Sequence, residues 1–145
     1  MRAVKRRTLL QALPAAAMIP ASVWAAAQQN GNSSTPVFEL RIYHAAAGKL
    51  GELEARFRDH TITIFERHGI KSVAYWTPLE EPDKSNTLIY ILQHPSREAA
   101  ATNWKAFQDD AEWKSVKEKS EAKGKLVDKV DSTYMALTDF SARLG

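Results

Sequence analysis

The sequence contains no cysteine in its 145 residues, and this absence excludes several kinds of chemistry at once. Disulfide bonds, thiolate metal sites, a cysteine nucleophile and a lipid-anchored cysteine all need that side chain. Glycine is also scarce, at 6 residues, and no glycine-rich phosphate loop, serine nucleophile elbow or paired-carboxylate motif occurs. The sequence therefore gives no sign of the enzyme classes that these motifs define.

A long hydrophobic run is missing as well. The apolar stretch 9–20 is broken by two prolines, whereas a membrane-spanning helix needs about 20 consecutive apolar residues. Basic residues precede this stretch, and small residues ending in Ala27 follow it. That order is typical of an export signal, which a peptidase removes. We therefore predict a signal peptide over residues 1–27 that is cleaved between Ala27 and Gln28.

The export route is indicated by Arg6 and Arg7, which are followed by Thr-Leu-Leu. This segment resembles a twin-arginine signal, the route for proteins that are exported already folded. The general secretory route is the alternative. Both predict a periplasmic or secreted protein with no stable membrane span after cleavage. Residues 28–36 are then a flexible linker and residues 37–141 a single domain.

The charge balance changes when the predicted leader is removed. The whole chain has 20 basic and 17 acidic residues, a formal charge of +3. Four of the basic residues and none of the acidic ones lie in the leader, which leaves 16 against 17, a formal charge of −1. A domain this close to neutral does not have the basic surface expected of a protein that binds nucleic acid.

Alternation and helical spacing predict the element order β-α-β-β-α-(α)-β. The predicted strands lie within residues 37–44, 70–78, 87–94 and 125–140, and the predicted helices within 48–68, 95–107 and 109–123. The Asp109 carboxylate is expected to cap the last of these helices. This order is that of an α+β, ferredoxin-like fold, with a four-stranded antiparallel sheet and helices on one face.

The first strand decides which residues face the helices. One of its faces carries Phe38, Leu40 and Ile42, and the other carries Glu39, Arg41 and Tyr43. We place the apolar face against the helices and the second face on the open side of the sheet. Because a largely apolar open face is rarely left in water, we predict that two copies pair through it as a homodimer.

Two roles stay open for the charged residues of that strand. Glu39 and Arg41 form an ion pair that sets the register of the dimer, since a buried charge must be paired. Alternatively, Arg41 and Tyr43 clamp the anionic group of a substrate. Neither role requires a cofactor, and we predict none.

His60 and His68 share one side of the first predicted helix. His60 is either a packing residue or an acid–base or ligand residue in a pocket between sheet and helices. His68 suits the negative end of the helix. Because zinc needs three or four convergent donors, this pair predicts no metal site.

Aromatic residues are the other candidates for a pocket. Tyr75, Trp76, Trp104, Phe107 and Trp113 either pack in the core or line a site for a small apolar or aromatic molecule. The lysine-rich run 114–125 is interleaved with glutamates and is interpreted as a solvated helix face.

Several segments resemble the NIPSNAP family. They are Phe38–Tyr43, Gly48–Leu50, Phe57–His60, Glu66–Ile70, Tyr75–Thr77 and Asp109–Trp113. The resemblance covers roughly Val37 to Phe140 and implies a ferredoxin-like subunit that pairs into a dimeric α/β barrel. It implies little about activity, although related dimeric barrels include cofactor-free monooxygenases and proteins with a pocket between sheet and helices.

Three functions are therefore open at this stage. The first is an exported homodimer that binds a small molecule or a partner. The second is a small enzyme of the cofactor-free monooxygenase type, with His60 as its candidate catalytic residue. The third is a purely structural or partner-binding dimer.

Overall fold

The structure is a computed structural model, and it describes residues 35–142. The predicted signal peptide, its cleavage site at Ala27 and Gln28, and residues 28–34 of the predicted linker lie outside the described residues. Within residues 35–142, no helix is both long and apolar enough to cross a membrane.

Between residues 35 and 142, four strands and four α-helical segments follow the predicted order and confirm the α+β, ferredoxin-like fold. The strands are β1 (Val37–Ala45), β2 (Lys71–Trp76), β3 (Thr87–His94) and β4 (Val127–Met135). The helices are α1 (Leu50–Arg56), α2 (Ile62–Arg67), α3 (Arg97–Asp109) and α4 (Ala111–Ser120). A π-helical turn (Phe57–Thr61) joins α1 to α2, and a short 3-10 turn (Asp83–Ser85) precedes β3.

The sheet has the strand order β2-β3-β1-β4. All three pairings are antiparallel, and β1 lies between β3 and the last strand of the chain. Leu40 pairs with Ile91 of β3 on one side and with Thr133 of β4 on the other. The first strand is thus a central one, and both of its edges are hydrogen-bonded to neighbouring strands.

The helix ends show how local chemistry sets the element boundaries. Gly69 follows α2 with a φ of 70°, a conformation that a side chain disfavours. Helix α4 is capped by Asp110, whose Oδ1 accepts the backbone N–H groups of Glu112 and Trp113 at 2.8 and 3.0 Å. The predicted cap at Asp109 is therefore wrong by one residue, and Asp109 instead pairs with Lys105.

The hydrophobic core lies between one face of the sheet and the helices. Its fully buried members include Leu53, Ile64, Phe65, Tyr90 and Leu92. Alternate residues of β3 from Leu88 to His94 point into it, while Ile89 and Ile91 are half-buried on the other face. The helices that the structure describes thus cover one side of the sheet.

The predicted orientation of β1 is wrong. Glu39, Arg41 and Tyr43 face the helices, since Glu39 and Arg41 contact Trp104 of α3 and Tyr43 contacts Phe57. Phe38, Leu40 and Ile42 alternate onto the open face. Hydrophobicity misassigns the two faces because the polar side chains find partners inside the core.

The predicted first helix is interrupted by its π-helical turn. The backbone N–H of Ile62 bonds to the carbonyl of Phe57, five residues earlier, and the hydroxyl of Thr61 donates to the carbonyl of Arg56 at 3.1 Å. Because this turn is wider than an α-helical one, the buried position after Phe57 falls on Thr61. His60 is left exposed.

Candidate functional site

A buried carboxylate lies between the sheet and α3. Glu39 is 1% exposed, and four side chains donate hydrogen bonds to it. The donors and distances are Arg41 Nη1 (2.6 Å) and Ser132 Oγ (2.7 Å) to Oε1, and Trp104 Nε1 (2.7 Å) and His94 Nε2 (3.0 Å) to Oε2. One carboxylate therefore connects β1, β3, β4 and α3.

The donors keep Glu39 ionised. Burial alone would raise the pKa of Glu39, but the hydrogen bonds from His94, Trp104, Ser132 and Arg41 outweigh burial and lower it to about 2. Burial alone would lower the pKa of Arg41. The neighbouring Tyr90, Tyr43 and Glu39 outweigh burial, so the pKa of Arg41 is raised. An anion held this strongly is a poor proton acceptor near neutral pH, so we assign Glu39 a structural role.

Arg41 links Glu39 to two tyrosine hydroxyls. Its Nε donates to the Tyr90 hydroxyl at 3.0 Å and its Nη2 to the Tyr43 hydroxyl at 3.3 Å. The guanidinium also lies 4.4 Å from the ring centre of Trp104. These contacts hold the Tyr43 hydroxyl in place.

A cavity of about 390 Å³ lies between the sheet and α4. Its apolar lining consists largely of five aromatic rings, Tyr43, Phe57, Phe65, Phe107 and Trp113. Two valines of β4, Val127 and Val130, complete the apolar wall. The volume lies within the range of about 300–1,000 Å³ that is usual for small-molecule sites.

The rings of this cavity support one another. Phe107 lies 4.5 Å from Trp113 and 4.8 Å from Phe65, measured between ring centres. Phe57 meets Tyr43 edge-on at 5.8 Å. Contacts of this kind favour fixed ring positions, so the apolar wall is preformed.

The rest of the lining is polar, with Thr61 and six charged side chains. It contains four basic side chains, Arg56, Lys117, Lys125 and Lys129, and two acidic ones, Glu121 and Asp128. Histidine is absent from the lining residues that the structure describes. The cavity therefore combines an aromatic interior with polar groups, but it holds no evident acid–base pair.

A second cavity, of about 340 Å³, lies on the other side of Phe57. Tyr75, Trp76 and Leu88 line it together with Ile62. The Tyr75 hydroxyl lies 2.7 Å from Ser72 Oγ, and burial raises the pKa of Tyr75. Two of the aromatic residues predicted from the sequence therefore line this cavity, and Tyr75 also joins the core cluster by stacking on Tyr90 at 5.3 Å.

The two predicted histidines lie outside the first cavity. His60 is exposed in a surface groove between the α1–α2 helix and α4, so its predicted place between sheet and helices is wrong. His68 Nε2 lies 2.7 Å from Asp110 Oδ2, which also accepts from Arg67 at 2.8 Å. His68, Arg67 and the capping residue Asp110 thus tie the end of α2 to the start of α4.

Sequence periodicity did not identify three residues that shape the first cavity or the Glu39 network. Arg56, which is charged, is buried beneath α4. His94 and Ser132 reach Glu39 from positions 55 and 93 residues away in the chain. The one available signal was Glu39 itself, because a glutamate buried between a sheet and helices needs hydrogen-bond donors.

Several solved structures share the fold. An uncharacterized NIPSNAP-like domain protein from Burkholderia xenovorans is 18% identical, with a TM-score of 0.66 over 77% of this chain and 93% of its own. A NIPSNAP family protein from Agrobacterium tumefaciens is 21% identical, with a TM-score of 0.64 over 73% of this chain and 96% of its own. At these identities the likeness concerns the fold.

The sequence comparisons give the family. No curated protein sequence matches this chain significantly. The sequence model of the NIPSNAP family matches residues 38–142, which span β1 to β4 and include both cavities and the Glu39 network. The chain belongs to the NIPSNAP family.

Proposed function

We propose that this NIPSNAP domain is exported, forms a homodimer and binds a small apolar or aromatic molecule between the sheet and α4. The observation that carries this proposal is the cavity of about 390 Å³ with its five aromatic rings. A site for a small molecule is typically concave and mostly apolar, with a few polar groups that orient the ligand. The Tyr43 hydroxyl, the Thr61 hydroxyl and the charged rim supply such groups.

The open face of the sheet supports the homodimer. Strand register places Ala74, Ile91, Leu40 and Thr133 in one row across the sheet. The next row consists of Trp76, Ile89, Ile42 and, at the β4 edge, the charged Asp131. Trp76 is 47% exposed. An apolar face of this extent is stabilised when a second copy covers it.

Export is supported by the sequence of residues 1–27. A basic start, a short apolar region and an Ala-rich end are the parts of an export signal. The paired arginines suit a domain that folds before it is exported. The proposed location is the periplasm or the outside of the cell.

Binding is preferred over catalysis because the described cavity lining contains no histidine. The candidate general acid–base residue, His60, lies in a different groove. A cofactor-free monooxygenase would need another residue to handle protons, and the ionised, enclosed Glu39 is unsuited to that task.

Native mass spectrometry of protein purified from the periplasm of its own host tests the proposal directly. We expect a dimer that begins at Gln28 and retains a small molecule. A cavity-filling variant, Val130→Trp, is expected to lose that molecule, while Leu79→Trp, which adds the same ring in an exposed loop, keeps it. A wild-type protein that neither retains a molecule nor binds the neutral dye N-phenyl-1-naphthylamine contradicts the binding proposal.

Sedimentation of a charged variant tests the dimer separately. Ile91→Glu places a carboxylate in the middle of the open face, and we expect it to sediment as a monomer with unchanged helix and strand content. The matched variant Ala101→Glu adds the same charge at an exposed position of α3 and should remain dimeric. A wild-type monomer at micromolar concentration contradicts this part of the proposal.

A further inference from the structure

One residue of the cavity wall, Arg56, is a buried cation. The Arg56 side chain is 5% exposed. Its Nη1 donates to Ser120 Oγ at 3.2 Å and to Glu121 Oε1 at 2.9 Å, but its Nε is buried without a hydrogen-bond partner among the described residues. The Arg56 guanidinium is thus a buried cation in the cavity wall, held to the end of α4.

The rim of the cavity carries more positive than negative charge. Two of the cations pair with carboxylates of the lining, Arg56 with Glu121 and Lys125 with Asp128, each at 2.9 Å. Lys129 pairs at 2.9 Å with Asp131, which does not line the cavity. Lys117 lines the cavity and makes no ion pair within residues 35–142. The rim therefore has an excess of cations over carboxylates and one cation that is not neutralised.

Polarity varies with depth in this cavity. The rings of Phe57, Phe65 and Phe107 are at most 4% exposed, whereas the side chains of Lys125 and Lys129 are each 66% exposed. An apolar ring is thus favoured at the bottom, and an anionic group is favoured near the opening, where it can reach the lysines.

We propose that the ligand of this site is an amphipathic anion, a small aromatic or apolar molecule with one anionic oxygen group such as a carboxylate. The ring system packs among the buried aromatic side chains, and the anionic oxygens lie near the opening, toward Lys117 and Lys129. This inference rests on the proposed function, because it names the chemical class of the molecule that the cavity takes.

Two fluorescent dyes with the same ring system test the charge requirement. The anion 1-anilinonaphthalene-8-sulfonate and the neutral N-phenyl-1-naphthylamine differ by the sulfonate group. We expect the full mature chain to bind the anion about tenfold more tightly at low salt. Raising NaCl from about 0.05 to about 0.5 M should weaken binding of the anion and leave the neutral dye unaffected.

Lysine substitutions on α4 locate the anionic group. Lys117→Gln should weaken binding of the anionic dye about threefold to fivefold, the effect of one partly exposed charge pair, and leave the neutral dye unaffected. Lys114→Gln removes the same charge one turn earlier on the same helix, outside the cavity lining, and should change neither affinity. Adding Lys129→Gln to Lys117→Gln should give a loss of about tenfold for the anion.

The outcomes separate the two proposals. Equal binding of both dyes, with no effect of Lys117→Gln, overturns the anion inference but leaves the cavity as a binding site. Binding of the anion that Val130→Trp does not reduce places the dye elsewhere and also overturns the inference. Failure of both dyes to bind contradicts the proposed function itself.

Discussion

Replacing Glu39 by glutamine removes the negative charge at the centre of the network that joins α3 to the sheet. The carboxylate accepts hydrogen bonds on both oxygens from Arg41, Ser132, Trp104 and His94. Glutamine has nearly the same shape but only one acceptor oxygen, so its NH₂ group must face donors. Arg41 also loses its anionic partner. Because the Arg41 side chain is only partly exposed, water does not fully replace that partner.

Two estimates of the cost agree. The pKa of Glu39 is about 2, against an ordinary value of 4.5. Because one pKa unit corresponds to about 1.36 kcal/mol, the ionised form stabilises the fold by about 3 kcal/mol. Breaking a buried ion pair by removing one partner costs about 3–5 kcal/mol in other proteins. We therefore expect Glu39→Gln to lower the free energy of unfolding by about 3 kcal/mol at pH 7.

Urea unfolding, followed by tryptophan fluorescence at one fixed protein concentration, measures this difference. The pKa of Glu39 is lower in the folded state, so its stabilisation is complete above about pH 5 and is lost as the pH falls toward 2. The gap between wild type and Glu39→Gln should shrink over that interval. The exposed control Glu66→Gln should stay within about 0.5 kcal/mol of wild type.

Two results would refute this reasoning. One is a cost for Glu39→Gln below about 1 kcal/mol at pH 7, since one hydrogen bond alone is worth about that much. The other is a cost that stays constant, to within about 0.5 kcal/mol, between about pH 5 and about pH 2.5. A pH-independent cost would mean that the charge of Glu39 is not what stabilises the fold.

Three further substitutions test other contacts by the same unfolding assay. Asp110→Ala should destabilise the protein less than Glu39→Gln does, because α4 loses its cap and His68 loses its partner; an unchanged unfolding midpoint would contradict this. Thr61→Val should cost about 1 kcal/mol, since its hydroxyl bonds to the Arg56 carbonyl inside the helix, and a stabilised variant would argue against that bond. Arg56→Met should cost about 1–3 kcal/mol through loss of the charged hydrogen bond to Glu121, and a neutral effect would show that the pair contributes nothing.

The order of strands and helices was predictable because it depends on local periodicity. Strands alternate every two residues and helices repeat every 3.6, and both signals can be seen within a short window. The strand at Thr87–His94 was predicted at its observed bounds. The NIPSNAP resemblance was visible for the same reason, since its motifs are short and lie in order.

The orientation of β1 was not predictable from that window. The three partners of Glu39 outside its own strand lie 55, 65 and 93 residues away in the chain. Hydrophobicity places leucine and isoleucine inside and glutamate outside, and it fails where distant donors neutralise a buried carboxylate. In this sheet the face of β1 toward the helices carries the polar side chains and the open face carries the aliphatic ones, so hydrophobicity alone assigns the two faces the wrong way round.

Two positions of the first predicted helix differ from what regular spacing gives, for different reasons. Regular α-helical spacing places His60 near the buried stripe, but the π-helical turn between Phe57 and Thr61 gives that position to Thr61. Arg56, just before the turn, is buried by its contact with Glu121 after α4. A π-helical turn leaves no strong trace in the sequence, so the position of His60 could not be derived from spacing.

The pairing of the first strand with the last has a consequence for how the domain is made. Phe38 pairs with Met135, so β1 cannot complete its hydrogen bonds until nearly the whole domain has left the ribosome. Ser132, one of the donors to Glu39, and the valines that wall the cavity arrive on the same late strand. Contacts this distant in sequence form slowly, because a long loop must close first. Folding of this domain therefore follows synthesis, and a nascent chain that still lacks β4 has neither the valine wall of the cavity nor the Ser132 donor to Glu39.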